Sequence, residues 1–314
     1  MTPARIGLVG CGRLATVGYA PASRAATGIE LVAVADPDHR RRAEVLAAHG
    51  GLRSGRVMAF RSAADLLAAV EVDALVLATP APLHVADAAR AVTLGVPVLV
   101  EKPPAEDVGG ARALAALDPA PWVGFNRRFD AGARAVRDAV PAAGDLHVTL
   151  VLSYRRRSWG AHVAHDDALL DLGPHLVDWA RWLTGAEVET VTATEVGPER
   201  AALELATDRG PVRIWARADG IHREAIDVRD GHGRAVAQHV VGGPLGAVRG
   251  RLQRGPHPLV RSLTAQLEAL GRAVAGHAEP DLGTAADGVA AMAVIDAARA
   301  SHATGGEAVA VAPS

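Results

Sequence analysis

Short apolar runs alternate with helical patterns through residue 125, and few folds accommodate that beat. The runs are Ile6-Gly7-Leu8-Val9, Leu31-Val32-Ala33-Val34-Ala35, Ala74-Leu75-Val76-Leu77-Ala78, Val96-Pro97-Val98-Leu99-Val100 and Trp122-Val123-Gly124-Phe125. A further short run lies at Val57-Met58-Ala59-Phe60. Between them fall helix-like stretches at Asp38–His49, Ser62–Val70 and Leu83–Leu94. Strands without a polar face are buried on both sides, which requires a parallel sheet covered by helices. The expectation is a doubly wound α/β (Rossmann) domain over residues 1–123.

The pattern changes after Phe125. A helix at Ala131–Ala139 leads to a strand at Asp145–Tyr154 and a helix at Ala168–Leu183. Strand candidates follow at Val188–Val196, Ala201–Thr207, Val212–Ala218, Glu224–Arg229 and Arg234–Val241. Short turns such as Asp208-Arg209-Gly210-Pro211 separate them, so neighbours are expected to be antiparallel. Two helices (Leu259–Ala275, Thr284–Ser301) and a strand (Ala308–Val311) end the chain. Residues 124–314 therefore read as a second, α+β domain for substrate and oligomerisation, built on an open, mostly antiparallel sheet. Gly242–Pro258, rich in Gly, Pro and Arg, is its loosest segment.

Gly10-Cys11-Gly12-Arg13-Leu14-Ala15 follows the first strand and opens a helix. It fits G-x-G-x-x-G/A, in which the first glycine makes the turn and the second lets backbone approach a pyrophosphate at a helix N-terminus. Asp36 closes the second strand, where an acid hydrogen-bonds ribose hydroxyls and repels a 2′-phosphate. NAD is the expected cofactor, with NADP left open through Arg40 or Arg41.

Among 33 Lys and Arg residues a single lysine remains, Lys102, and it follows the fifth apolar run and precedes Pro103-Pro104. Arginine holds its proton at any ordinary pH, whereas lysine can be tuned to exchange one. Lys102 is thus a candidate proton-transfer residue. The net charge of −2 and the absence of long single-sign runs argue against a nucleic-acid surface. The single cysteine, Cys11, rules out an internal disulfide and any metal site of several cysteines, and no metal is expected. No apolar stretch approaches the roughly 20 residues of a membrane span. The expected location is the cytoplasm.

Taken together these motifs resemble those of the Gfo/Idh/MocA oxidoreductases. The resemblance covers Gly10–Ala15, Asp36, Ala78-Thr79-Pro80 with His84, Glu101-Lys102-Pro103, Gly124-Phe125-Asn126-Arg127-Arg128-Phe129 and Asp171-Leu172-Gly173-Pro174-His175-Leu176-Val177-Asp178. It implies Lys102, His175 and Asp171 as catalytic residues. His175 is then the proton acceptor or donor, and Asp171 orients it or the substrate. It implies Gly10, Gly12, Arg13, Leu14, Asp36, Thr79, Pro80, His84, Glu101 and Lys102 around the cofactor. Asn126, Arg128, Trp159, Asp171 and His175 are the candidate substrate contacts. Asn126 and Arg128 lie where the last strand of the first domain ends, and Arg128 either meets the carboxamide or an anionic substrate group or, with Arg127, ties the two domains together.

Two departures stand out. Asp166-Asp167 stands about where a Gly-Gly pair is common, either as carboxylates favouring a polyol, amine or cationic substrate over an acidic one or as a helix N-cap. Pro174 lies between Asp171 and His175, and proline inside a helix deletes a donor and bends the axis. A helix beginning near Pro174 would leave Asp171 in the preceding turn and make Asp178 the rival partner of His175. The implied activity is hydride transfer between nicotinamide and a secondary alcohol or ketone of a sugar, cyclitol or related molecule, by a homo-oligomer (dimer or tetramer). Two alternatives stay open: a non-redox enzyme that retains its cofactor (elimination, epimerisation or glycoside cleavage through a transient ketone), and a non-catalytic dinucleotide sensor.

Overall fold

The computed structural model describes residues 2–50, 57–155, 167–243 and 255–313. They form two compact units, one of residues 1–129 with 256–288, the other of residues 130–255 with 289–314. Trp159, Asp166 and most of the loose 242–258 segment lie outside the described residues.

The first unit begins with β1 (Ala4–Val9), a π-helical turn (Ala15–Tyr19) that runs into α1 (Ala20–Ala25), and β2 (Ile29–Ala35). Then come α2 (His39–His49), β3 (Met58–Phe60), α3 (Ala63–Ala69), β4 (Ala74–Leu77), α4 (His84–Thr93), β5 (Val98–Val100), α5 (Val108–Ala115) and β6 (Trp122–Val123). The sheet order is β3-β2-β1-β4-β5-β6 and every pair is parallel. This is the doubly wound order whose strand C-termini form a ligand crevice. Helix starts follow local chemistry: Asp38, Ser62 and Asp107 each accept a backbone N–H from the first turn of α2, α3 and α5.

Alternate strand residues bury into different layers. Ile6, Leu8, Leu31, Val34, Val76 and Leu99 pack in one cluster with Tyr19. Val9, Val32, Ala33, Leu75, Leu77 and Val100 pack in the other, with Leu66 and Leu114 from the helices. The first cluster is completed from far along the chain by Leu263, Leu267 and Leu270. Compactness therefore groups 256–288 with the Rossmann strands, a division unlike a single cut at 123/124, because the sheet needs that helix to cover one face.

The second unit holds α6 (Ala131–Ala139), β7 (Leu146–Arg155), α7 (Ala168–Thr184), β8 (Val188–Val196), β9 (Arg200–Thr207), β10 (Gly210–Arg217), β11 (Asp219–Asp230) and β12 (Ala235–Gly242). Of the remaining elements, α8 (Pro258–Val274) is the helix that covers the Rossmann sheet, α9 (Ala285–Ala303) follows it, and β13 (Val309–Ala310) closes the chain. The sheet order is β12-β11-β7-β10-β9-β8-β13. It is mostly antiparallel, as expected, with one exception: β10 lies parallel to β7. Strands β10 and β11 are consecutive yet do not pair, because β7 lies between them and takes both as partners. Strand β10 alternates buried and exposed residues, so one face of the sheet packs inward and the other stays open.

Helix α7 is apolar nearly all round, the mark of a helix embedded in a core. Asp167 caps its start by accepting the Leu170 N–H at 2.7 Å, and Gly185 ends it in the left-handed region. Pro174 is accommodated inside it. The helix thus starts before Pro174, and Asp171 and His175 share it. The alternative in which Asp171 sits in a preceding turn is overturned. The N-cap reading holds for Asp167, which also pairs with Arg299 at 3.5 Å.

Candidate active site

The expected cofactor residues of the first unit gather at the C-terminal ends of its strands. Gly10 follows β1 with φ +91°, and an added Cβ would lie 2.5 Å from the Ala78 carbonyl. Only glycine fits that backbone approach. Gly12 has open space where a side chain would be, which leaves its backbone accessible. Arg13 is exposed and Leu14 half-buried, both in the helical run after the loop.

Asp36 is buried after β2 and accepts the Cys11 N–H at 2.9 Å and the Asp38 N–H at 2.8 Å. The carboxylate is thereby fixed against the glycine loop. Arg42 donates to the Asp36 carbonyl, and its charge and that of Arg41 both act on Cys11 in the glycine loop. Arg41 also lies 3.8 Å from Asp38. Cys11 is no nucleophile: burial, then the Asp36 charge, pushes its thiol up to about 12.

Thr79 and Pro80 follow β4. The Thr79 hydroxyl is buried with no hydrogen-bond partner among the described residues. A buried hydroxyl is costly without a partner, so this one marks a place for a polar ligand. A glycine-lined backbone loop, a fixed carboxylate and a waiting hydroxyl on adjacent strand ends fit a dinucleotide. His84 is fully buried at the start of α4. Its Nε2 lies 2.8 Å from the Thr79 carbonyl and its Nδ1 3.1 Å from the Pro104 carbonyl. Burial pulls its pKa down. A neutral ring has a single N–H, so it donates to one of these two carbonyls, between the loops that follow β4 and β5.

Glu101 and Lys102 follow β5. Glu101 is buried, accepts the Lys102 N–H at 3.0 Å through Oε2, and accepts the Tyr19 hydroxyl at 2.5 Å through Oε1. Gln266 on α8 donates to the Tyr19 oxygen at 3.2 Å. Burial raises the Glu101 carboxyl, opposed by Tyr19 and by the Lys102 charge. After β6, Asn126 donates to Ser262 at 3.0 Å. Arg128 is buried and pairs with Asp287 at 2.9 Å, beside the Phe125 ring. Arg128 thus has a protein carboxylate, from its own unit, as an anionic partner.

In the second unit Asp171 and His175 lie four residues apart on α7, which places them on one helix face. His175 is buried. Asp171 and Arg181 are the two residues of α7 that are not buried, and Arg181 is engaged by Glu187 at 2.6 Å. Asp171 accepts the hydroxyl of Tyr154, from the end of β7. Asp178 is buried further along the helix.

Sequence reasoning does not single out Tyr19 or Gln266, and it reaches Tyr154 only as the start of the pocket-shaping segment 154–167. A usable signal existed, because the chain has only two tyrosines. Both donate to a carboxylate in or beside the expected catalytic set.

Comparison with known proteins agrees with this fold. Residues 4–119 match an oxidoreductase family with an NAD-binding Rossmann fold, and residues 146–224 match the Gfo/Idh/MocA C-terminal domain. The rhizopine catabolism protein MocA of Rhizobium meliloti is 30% identical over 319 residues, covering 95% of each chain. An inositol 2-dehydrogenase of Ralstonia nicotianae is 30% identical over 203 residues, 62% of this chain and 58% of that protein. The crystal structure of scyllo-inositol dehydrogenase from Lactobacillus casei with NAD(H) and scyllo-inositol shares the fold, with a TM-score of 0.79, 16% identity and 99% coverage of both chains. Residues 4–119 are an NAD-binding Rossmann domain, and the chain belongs to the Gfo/Idh/MocA oxidoreductase family.

Proposed function

We propose that this chain is an NAD(P)-dependent dehydrogenase that interconverts a secondary alcohol and a ketone on a cyclitol, sugar or related hydroxylated molecule. The observation that carries the reading is the single lysine, its amide anchored by Glu101 at the same C-terminal end of the sheet as the glycine loop, Asp36 and the Thr79 hydroxyl. The names of the relatives, inositol dehydrogenases among them, direct the substrate choice toward cyclitols. Functionally, residues 1–123 bind the dinucleotide and residues 124–314 supply the substrate side.

Gly10, Gly12, Asp36 and Thr79 hold the dinucleotide in this reading, with Arg13, Leu14, Pro80 and Glu101 around it. When bound, the nicotinamide supplies the hydride acceptor or donor. Oxidising an alcohol also removes a proton from oxygen. An imidazole suits that transfer near neutrality, and His175 is assigned to it. Asp171, steadied by Tyr154, orients the imidazole or a substrate hydroxyl. Lys102 donates a hydrogen bond to the reacting oxygen and stabilises developing alkoxide charge. Asp36 favours NAD by repelling a 2′-phosphate.

The open face of the second sheet, which exposes Trp215 and Val240, is where copies would pair as a dimer or tetramer. Among the described residues no helix is long and apolar enough to cross a membrane, and cytoplasmic placement is part of the proposal.

The test is a screen at 340 nm of cyclitols, sugars and their keto forms with NAD and NADP. Steady, substrate-dependent NADH production is expected. Tightly held cofactor with substrate conversion but no net NADH would replace this reading with the non-redox one. Binding without conversion would replace it with a sensor.

A further inference from the structure

We propose that Tyr19 is a positioning residue that acts through Glu101 to hold the backbone and the electrostatic surroundings of Lys102. The proposal rests on the assignment of Lys102 to proton handling. The geometry is a relay of four residues from three distant stretches. Gln266 Nε2 donates to Tyr19 Oη at 3.2 Å, Tyr19 donates to Glu101 Oε1 at 2.5 Å, and Lys102 N donates to Glu101 Oε2 at 3.0 Å. Tyr19, Glu101 and Gln266 are exposed by 2%, 5% and 1%. In so dry a place each bond is strong, and each lost one leaves a group unsatisfied. The carboxyl lies close against Gly124, where an added Cβ would come within 3.1 Å of Glu101 Cδ and Oε1.

Each oxygen of Glu101 has one task. Oε2 pins the Lys102 amide, which sets where the lysine stem leaves the chain. Oε1 takes the phenol, which favours the charged carboxylate against the burial that opposes it. The titratable groups acting on Glu101 are the Tyr19 phenol from the π-helical turn and the Lys102 ammonium from its own segment. Neutral Gln266 reaches it through Tyr19, and Gly124 presents no side chain. Tyr19 stays protonated as the donor, because burial and then the Glu101 charge raise its phenol well above the usual range. It also sits in the helical run that begins at the glycine loop, so the relay joins the dinucleotide end of the unit to the lysine.

Without the phenol, the Glu101 carboxyl should titrate at higher pH. As pH falls, its charge beside Lys102 is then lost sooner. In Tyr19→Phe we expect kcat to fall about tenfold, the KM for NAD to change less than about twofold, and the acid limb of the kcat profile to move upward by about one pH unit. Carboxyl 13C resonances of glutamate-labelled protein, with Glu101 identified by its loss in Glu101→Gln, supply a readout that needs neither substrate nor cofactor. The Glu101 midpoint should rise in Tyr19→Phe and rise less in Gln266→Leu. Fluorotyrosine, a more acidic phenol that keeps the fold, should lower it, and this arm decides the matter if Tyr19→Phe does not fold. An unmoved Glu101 midpoint in these proteins overturns the inference. So does an unmoved acid limb in Tyr19→Phe when Lys102→Arg is inactive. If Lys102→Arg keeps its turnover, the lysine assignment falls by itself, while the carboxyl midpoint still reports whether Tyr19 governs Glu101.

Discussion

Each unit places one tyrosine hydroxyl on one carboxylate, and the two pairs meet water differently. Tyr19 and Glu101 are sealed in the Rossmann core, with a third residue, Gln266, behind them. Tyr154 and Asp171 are only partly buried, although Asp171 rides on a helix otherwise enclosed. A sealed pair suits a fixed support, since nothing from solvent competes for its lone pairs. A half-open pair suits a group that must exchange partners, because substrate or water can replace one bond without leaving another stranded. The contrast suggests that the first unit presents its lysine rigidly and the second keeps its carboxylate available.

The largest effect should come from the groups these pairs serve. Lys102→Arg keeps the charge and loses proton exchange and compact geometry. Turnover should drop by about 100-fold or more, the scale of general acid–base contributions, while NAD affinity, followed by fluorescence titration, stays near wild type. His175→Asn should lose a comparable factor. If either variant keeps most of its turnover, that unit's pair supports something other than proton transfer.

Next in size is a split between the tyrosines. Tyr19→Phe strands a buried carboxylate oxygen and a buried amide, so it should lower unfolding stability by about 1–3 kcal/mol in urea titration. Tyr154→Phe should lower it by less than about 1 kcal/mol, because water can take the place of the hydroxyl, and its larger effect should be on turnover. Equal stability losses would erase the distinction between sealed and open.

Asp36→Ala removes the acceptor of the Cys11 and Asp38 amides and the repulsion of a 2′-phosphate. The kcat/KM ratio of NAD to NADP should fall by roughly tenfold or more. An unchanged ratio would move the ribose site elsewhere. The smallest signal concerns Cys11. With its thiol pushed up to about 12, native protein at pH 8 should react with a disulfide reagent far more slowly than urea-unfolded protein. Rapid labelling would show that the glycine loop opens readily.

Much of the fold is legible in the sequence, for a physical reason. Stretches of strand buried on both faces must be apolar, so Ile6–Val9 of β1, Leu31–Ala35 of β2 and all of β4 show as unbroken runs. The ends of α7 are written locally, in Asp167 as cap and Gly185 as stop. Sheet order in the second unit is not local. Short turns around β10 and β11 suggest neighbours, yet β7, far upstream, lies between them. The site divides the same way. Glycine loop, Asp36 and Lys102 are marked by residue type and spacing. The Tyr19 contact spans 82 positions to Glu101 and 247 to Gln266, and no spacing rule reaches that far. Pro174 shows how a local rule misleads: it warns of a break, but packing on all sides holds the helix through it.

Because α8 closes one face of the Rossmann sheet with Leu263, Leu267 and Leu270, the dinucleotide unit is not a contiguous cassette. A ribosome must deliver most of the polypeptide before that face acquires its cover. An excised fragment ending near residue 129 would present an oily surface and tend to clump. Chimeras built by grafting this unit onto a relative should therefore carry the late helix along with the early strands.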